Sequence, residues 1–109
     1  MPDSLAAEDA RLVTLARAAR ARVSAAEGAA VRDGDGRTYT GATVMLPSLR
    51  LSALQLAVAG AAVAGATTLE AAAVVTEAST VDLSAVRDLA PAAPVYLARP
   101  DGSLAETAR

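Results

Sequence analysis

The sequence contains no cysteine, no histidine and no lysine, and it also lacks tryptophan, phenylalanine, isoleucine and asparagine. Each absence closes off a class of chemistry. Without cysteine or histidine there is no disulfide, no thiolate nucleophile, no imidazole base and no zinc centre of the usual kind. Without lysine there is no Schiff base and no phosphate-loop lysine. Tyr39 and Tyr96 are the only aromatic residues, too few to stack the bases of a single-stranded nucleic acid. Ten arginines against twelve Asp and Glu leave a formal net charge of −2. The two signs are interspersed, so nothing here favours nucleic acid as a partner.

What remains is a chain of 109 residues rich in alanine, leucine and valine. It is long enough for a single core that buries roughly 60–65% of the unfolded surface, and residues 1–109 read as a single domain. The start, Met1 to Glu8, is acidic and polar where a signal peptide would be basic and then apolar. One uncharged stretch, Leu51 to Leu69, is long enough to raise the question of a membrane span. It carries Ser52, Gln55, Gly60, Gly65, Thr67 and Thr68, and a span needs about 20 predominantly apolar residues. A buried helix of a soluble domain is the better reading, and a cytoplasmic location with no membrane partner follows.

Asp3 and Ser4 are good N-cap residues, Glu8 and Asp9 suit the positive end of a helix dipole, and Leu12, Leu15, Ala16, Ala19 and Val23 recur at helical spacing. A first helix is expected from about Leu5 to Arg22, with Arg11, Arg17, Arg20 and Arg22 on a solvated face. Gly28 to Arg32 and Arg37 to Met45 are β-prone runs around Asp33-Gly34-Asp35-Gly36, which predicts a hairpin. Asp33 and Asp35 share the first spacings of a calcium loop, but no later ligands follow, so they read as turn residues.

Pro47 is expected to close the second strand and Ser48 to cap a second helix, Leu49 to Ala64, that is apolar nearly all round and buried on every side. Its small residues Ala53, Ala57, Gly60, Ala61 and Ala64 allow close approach, to the sheet or to the same helix of another subunit, and Gly65 ends it. Ala71 to Thr76 is a continuous apolar run, the pattern of a strand covered on both faces. Asp82 to Ala90 predicts a short third helix, and Val95 to Ala98 a strand. After the turn at Pro100-Asp101-Gly102, residues 103–109 are expected to add a last strand or to fray, and fraying is an expectation for residues 1–4 as well. The order α-β-β-α-β-α-β makes a three-layer α/β/α sandwich with a mixed sheet, an α/β fold.

Taken in this order, the residues resemble the cytidine deaminase family over about Ala10 to Glu106. Glu27-Gly28-Ala29-Ala30-Val31 looks like the first-strand run of small deaminases, and Tyr39-Thr40-Gly41-Ala42-Thr43-Val44-Met45-Leu46 shadows their Tyr-x-Gly-x-Asn-Val-Glu-Asn segment. The departures fall on the chemistry. A zinc deaminase holds its metal with H-x-E or C-x-E and P-C-x-x-C, the Glu moving protons. Here the first motif is Ser52-Ala53-Leu54 and the second falls at Val81 to Ala85, where the spacing survives and both thiolates are gone. The family's ribose-contacting Asn and Glu correspond to Thr43 and Met45, and its stacking Phe has no counterpart. The resemblance therefore implies a cytidine-deaminase-like protein with no catalytic residues, no metal and no cofactor. A vestigial ligand pocket would lie near Thr43, Met45, Ser52 and Asp82. Small family members resemble tetramers with sites between subunits, so a homo-oligomer, dimer or tetramer, or a complex with another protein is expected.

Other chemistries find little support in these residues. Carboxylate pairs would come from Asp33, Asp35, Glu70, Glu77, Asp82 and Asp88. Asp82 and Asp88 do not share a helix face, and Glu70 and Glu77 bracket a strand as boundary charges. All six read as solvated surface groups. Pro2, exposed by removal of Met1, would offer a secondary amine like that of tautomerases, but it precedes a helix where those enzymes begin a strand. Two readings of function stay open beside the associating scaffold: a module binding a nucleoside or small metabolite, and a hydrolase with divergent chemistry.

Overall fold

The computed structural model describes residues 5–109; the expected capping residues Asp3 and Ser4, and Pro2, lie outside them. Helix α1 spans Ala7–Arg22, with Ala6 at the N-cap position and Glu8 and Asp9 in the first turn. Its buried residues are Leu12, Val13, Ala16 and Ala19. Val23, expected on that face, lies beyond the helix and is exposed. The backbone leaves through Ser24, whose φ of 52° occupies the left-handed region usual after a helix.

Strands β1 (Gly28–Asp33) and β2 (Thr38–Ala42) form the expected antiparallel hairpin, Gly28 opposite Ala42 and Arg32 opposite Thr38. Beyond it the structure corrects the sequence reading. The chain breaks at Thr43 and forms a second, separate hairpin of β3 (Val44–Leu46) and β4 (Leu49–Leu51), turning at Pro47 and Ser48. Leu49 and Leu51 fit helical spacing but pair with Leu46 and Val44 instead, because proline suits the second position of a tight turn between two short strands. Helix α2 is therefore Ala53–Val63, shorter than Leu49–Ala64, and its cap is Ser52 in place of Ser48.

Strand β5 (Leu69–Val75) sits at the centre of the sheet. Helix α3 is Ser84–Leu89, shorter than expected, and leads to β6 (Val95–Ala98). Residues 104–108 do add a last strand, β7 (Leu104–Ala108). The main sheet runs β2-β1-β5-β6-β7, with β5 and β6 parallel and every other neighbouring pair antiparallel. The fold is thus α/β with a mixed five-stranded sheet.

Alternation along the strands divides the core. Ala29, Val31, Val74, Val95 and Leu97 face α2 and α3, whereas Ala30, Ala71, Ala73, Val75, Tyr96 and Ala98 face α1. Small residues on the α1 side let that helix lie close to the sheet. A Cβ at Gly28 would stand 2.0 Å from the carbonyl oxygen of Ala16, and one at Gly41 would stand 2.5 Å from that of Ala53. Only glycine fits at either crossing.

The helix expected to be buried on every side has an open one. Ala53, Leu54, Ala57, Val58 and Ala61 of α2 are buried, while Gln55, Ala59, Gly60, Ala62 and Val63 are exposed. A three-layer domain covers one face of an outer helix and leaves the other to solvent. No described helix is long and apolar enough to cross a membrane, since the uncharged stretch from Leu51 divides into α2 and the start of β5.

Candidate functional site

Topology brings the expected pocket residues to one end of the sheet. Strands β2 and β5 both run antiparallel to β1, so they finish at the same end. Helix α2 runs back along β2, with Ala53 and Ala57 beside Gly41 and Gly60 beside Tyr39. Helix α3 connects the parallel strands β5 and β6 and runs back likewise. Both helices therefore begin at the end where β2 and β5 finish, the position at which open α/β sheets hold their ligands.

Thr43, Ser52 and Asp82 are each engaged by hydrogen bonds. Thr43 meets Glu27: the Thr43 hydroxyl accepts from the Glu27 N–H at 3.0 Å, and the Thr43 N–H donates to the Glu27 carbonyl at 3.1 Å. Ser52 caps α2 by accepting from the Gln55 N–H at 3.0 Å, and Gln55 Oε1 accepts from the Ser52 N–H at 2.9 Å, a complete capping box. Asp82 accepts from the Ser84 N–H at 2.9 Å and from its hydroxyl at 2.6 Å. Those two bonds hold the Asp82 carboxyl below the usual carboxylate range. Met45 stands on the β3–β4 hairpin with 71% of its surface exposed. Among the described residues none of these four is hydrogen-bonded to another.

A polar network that sequence patterning did not single out lies beside Thr43. Thr76, fully buried at the end of β5, donates to Glu27 Oε2 at 2.7 Å and accepts from the Ala78 N–H at 2.9 Å. Arg99, at the end of β6, donates to the carbonyls of Thr76 and Ala78 at 3.1 and 2.8 Å. Glu27, Thr43, Thr76 and Arg20 line an open cleft of about 300 Å³. Glu27 and Thr76 are 49 positions apart, and no periodicity links such a pair.

The other carboxylates are explained by structure. Asp33, expected at the surface, is buried; it accepts from the N–H groups of Asp35 and Arg37, each at 2.9 Å, and from the Tyr39 hydroxyl at 3.0 Å. Its place in the hairpin turn is the expected one, with the burial supplied by the sheet end. Glu70 does not stand alone at a strand boundary but pairs with Arg32 at 2.8 Å, and the same guanidinium reaches Asp9 at 2.8 Å. Glu77 and Asp35 stay exposed, each 3.9 Å from an arginine.

The family model for cytidine deaminase-like proteins matches residues 5–102. This chain belongs to the cytidine deaminase-like family. A cytidine deaminase from Burkholderia pseudomallei is similar in structure, with a TM-score of 0.74 and 26% identity over 90% of this chain and 89% of that one. A cytidine deaminase from Mycobacterium leprae shares the fold, with a TM-score of 0.67 and 22% identity over 89% of this chain and 90% of that one. No curated protein matches the sequence.

The zinc of catalytic deaminases does not fit this cytidine deaminase-like chain. The residues expected from the resemblance at its ligand positions are Ser52, Asp82 and Ala85, which the structure gives as a capping hydroxyl, a carboxylate bonded to Ser84 just ahead of α3, and a methyl group packed against the core. Zinc takes thiolate and imidazole donors, with carboxylate as a supplement. Leu54, expected from the resemblance at the place of the proton-moving Glu, is 1% exposed within the apolar cluster that Ala85 also joins.

Proposed function

We propose that this cytidine deaminase-like domain is non-catalytic and cytoplasmic, and that it works by association, forming a homo-oligomer, dimer or tetramer, or joining another protein. The observation that carries the reading is the outer side of the α2 layer. Helix α2 contains no charged residue, so its exposed side offers Gln55, Ala59, Gly60, Ala62 and Val63, the last 90% exposed. Near the start of α2 the β3–β4 hairpin adds Met45, Leu46 and Leu49, exposed by 71%, 55% and 48%. Surface helices of monomers carry charge on the side away from the core, and grouped exposed apolar residues mark contact surfaces. Ala59, Gly60 and Ala62 let another backbone approach closely.

Sedimentation velocity at micromolar concentration tests the proposal. The expected result is an assembly larger than a monomer that V63E and M45D each shift toward monomer. A stable monomer at that concentration overturns self-association.

A second reading, a module that binds a nucleoside or small metabolite near Thr43, Met45, Ser52 and Asp82, draws support from the cleft beside Thr43. Thermal shift against a panel of nucleosides separates the two. Stabilisation by a nucleoside, lost in a variant such as T43V, favours binding; no stabilisation leaves association.

A further inference from the structure

The two edges of the main sheet are built differently. At one edge β7 shifts register against β6, from Leu97 opposite Glu106 to Ala98 opposite Leu104, and it carries an exposed Glu106 with Arg109 after it. A bulge and charges are devices that keep an edge strand from pairing with another chain. At the other edge β2 has neither. Its residues, Thr38-Tyr39-Thr40-Gly41-Ala42, are uncharged and include no proline, and they keep one register with β1 throughout. No strand among the described residues covers its outer side.

The hydrogen bonds at the two ends of this ladder fix which way the β2 backbone faces. The Asp33 N–H donates to the Arg37 carbonyl at 2.8 Å, and the Thr43 N–H donates to the Glu27 carbonyl at 3.1 Å. Backbone groups alternate in direction along an antiparallel pair. Tyr39 and Gly41 therefore also bond to β1, while the N–H and C=O groups of Thr38, Thr40 and Ala42 face outward. Thr38 and Thr40 are exposed. We propose that this edge pairs with β2 of a second copy of the chain, antiparallel about a two-fold axis at Thr40, so that one sheet runs through the dimer.

Symmetry, charge and continuity select a second copy as the occupant. About an axis at Thr40, that residue meets its own image, Thr38 meets the partner's Ala42 and Ala42 meets the partner's Thr38, so every outward group finds a donor or an acceptor. Arg37 then lies opposite the partner's Thr43, and no two like charges face each other. After Thr43 the chain enters the hairpin with Met45 and Leu46 exposed, and the exposed Gly60 of α2 lies beside Tyr39. A short strand edge buries too little by itself for a stable dimer, which takes about 1,200–2,000 Å², and these flanking apolar residues extend it. The pairing rests on the self-association part of the proposed function and gives it a geometry.

The experiment follows the exchange of individual backbone amides by NMR in the full chain, beside sedimentation of the same samples. The amides of Tyr39 and Gly41, bonded to β1, stay protected whether or not the chain assembles. Those of Thr38, Thr40 and Ala42 are expected to be protected in the assembled parent, and the protection of Thr38 and Ala42 is lost in T40P. That variant removes an N–H with no partner inside the sheet, a position where an edge strand tolerates proline, and is expected to be a folded monomer. T40K sets two lysines against each other across the axis and is expected to weaken assembly about tenfold or more. A105K, which puts the same charge on the guarded edge, leaves assembly unchanged. Should T40P fail to fold, T40K takes its place in both measurements. Freely exchanging Thr38, Thr40 and Ala42 amides in an assembly that V63E or M45D dissolves overturn the edge pairing and leave association standing. T40K assembling like the parent overturns it as well, and a parent that stays monomeric overturns both, leaving the edge to a strand of another protein.

Discussion

The hydroxyl of Tyr96 on β6 donates to Asp9 Oδ2 in the first turn of α1 at 2.6 Å, joining residues 87 positions apart. Arg32 on β1 donates to the other oxygen of that carboxylate at 2.8 Å and reaches the Glu8 carbonyl at 3.1 Å. One carboxylate thus fastens the start of α1 to two strands. Both Asp9 and Arg32 are largely shielded from water, with side-chain exposures of 17% and 11%, so this joint is stronger than an ordinary surface pair.

Y96F removes the phenolic donor and is expected to cost about 1–2 kcal/mol, read from urea unfolding. D9A is expected to cost more, because it also strips a partner from Arg32, and the double variant falls short of the sum of the two singles. Burial, followed by the bond to Asp9, raises the Tyr96 phenol above its ordinary value near 10. A group raised in the folded state contributes fully below its unfolded value and is lost as pH climbs past it. Stability should therefore decline above about pH 10, and less steeply in Y96F.

Asp33 gives the acid side of the same curve. Burial alone would raise its carboxyl, but the Arg37 N–H, the Tyr39 hydroxyl and the Asp35 N–H outweigh burial and hold it below the ordinary value. A group depressed in the folded state stabilises above its unfolded value, near 4, and that contribution fades as pH falls. Unfolding midpoints between pH 6 and pH 2 should drop more steeply for the parent than for D33N, and parallel curves would count against the assignment.

The approach of α1 to the sheet makes Gly28 irreplaceable. G28A would drive a methyl group into the Ala16 carbonyl and the Arg20 backbone, and backbone cannot yield as a side-chain tip can. A loss of about 3 kcal/mol or more is expected. Gly36, with open space around it but a φ of +84°, should tolerate alanine at about 1 kcal/mol.

L54E puts a carboxyl where the sequence resemblance leads one to expect the proton-moving Glu, at a position that is 1% exposed among aliphatic side chains. It is expected to cost about 3 kcal/mol or more through burial of an unpaired carboxyl, and to yield no cytidine turnover. Ammonia release above the parent level would show that the site kept more of its chemistry than its donors allow.

Much of the fold was legible in the sequence because it is carried by local signals. The Asp-Gly turn between β1 and β2, the apolar run of β5, Gly65 at the end of α2 and the arginine-lined outer face of α1 each depend on residues within a few positions. The second hairpin was not legible: Leu49 and Leu51 satisfy helical spacing as well as they satisfy pairing, and the β3–β4 register decides between them. The buried state of Asp33 and the pairing of Glu70 with Arg32 escaped for another reason. A carboxylate's burial depends on what the sheet end and the neighbouring strand place around it, and the partners of Glu70 and Glu27 lie 38 and 49 residues away.

At the candidate site the division is sharper. Composition alone settled that no thiolate or imidazole can stand there, since a residue type absent from the chain is absent from every register. Which groups occupy the helix starts instead was a matter of tertiary structure. Ser52 closes α2 in a reciprocal box with Gln55, and Asp82 accepts from the Ser84 N–H and hydroxyl just ahead of α3, since N–H groups at a helix start need acceptors. The exposure of α2 was decided there as well. An uncharged helix reads as buried in any sequence, and only the layer in which it packs determines whether this chain or a partner supplies the cover.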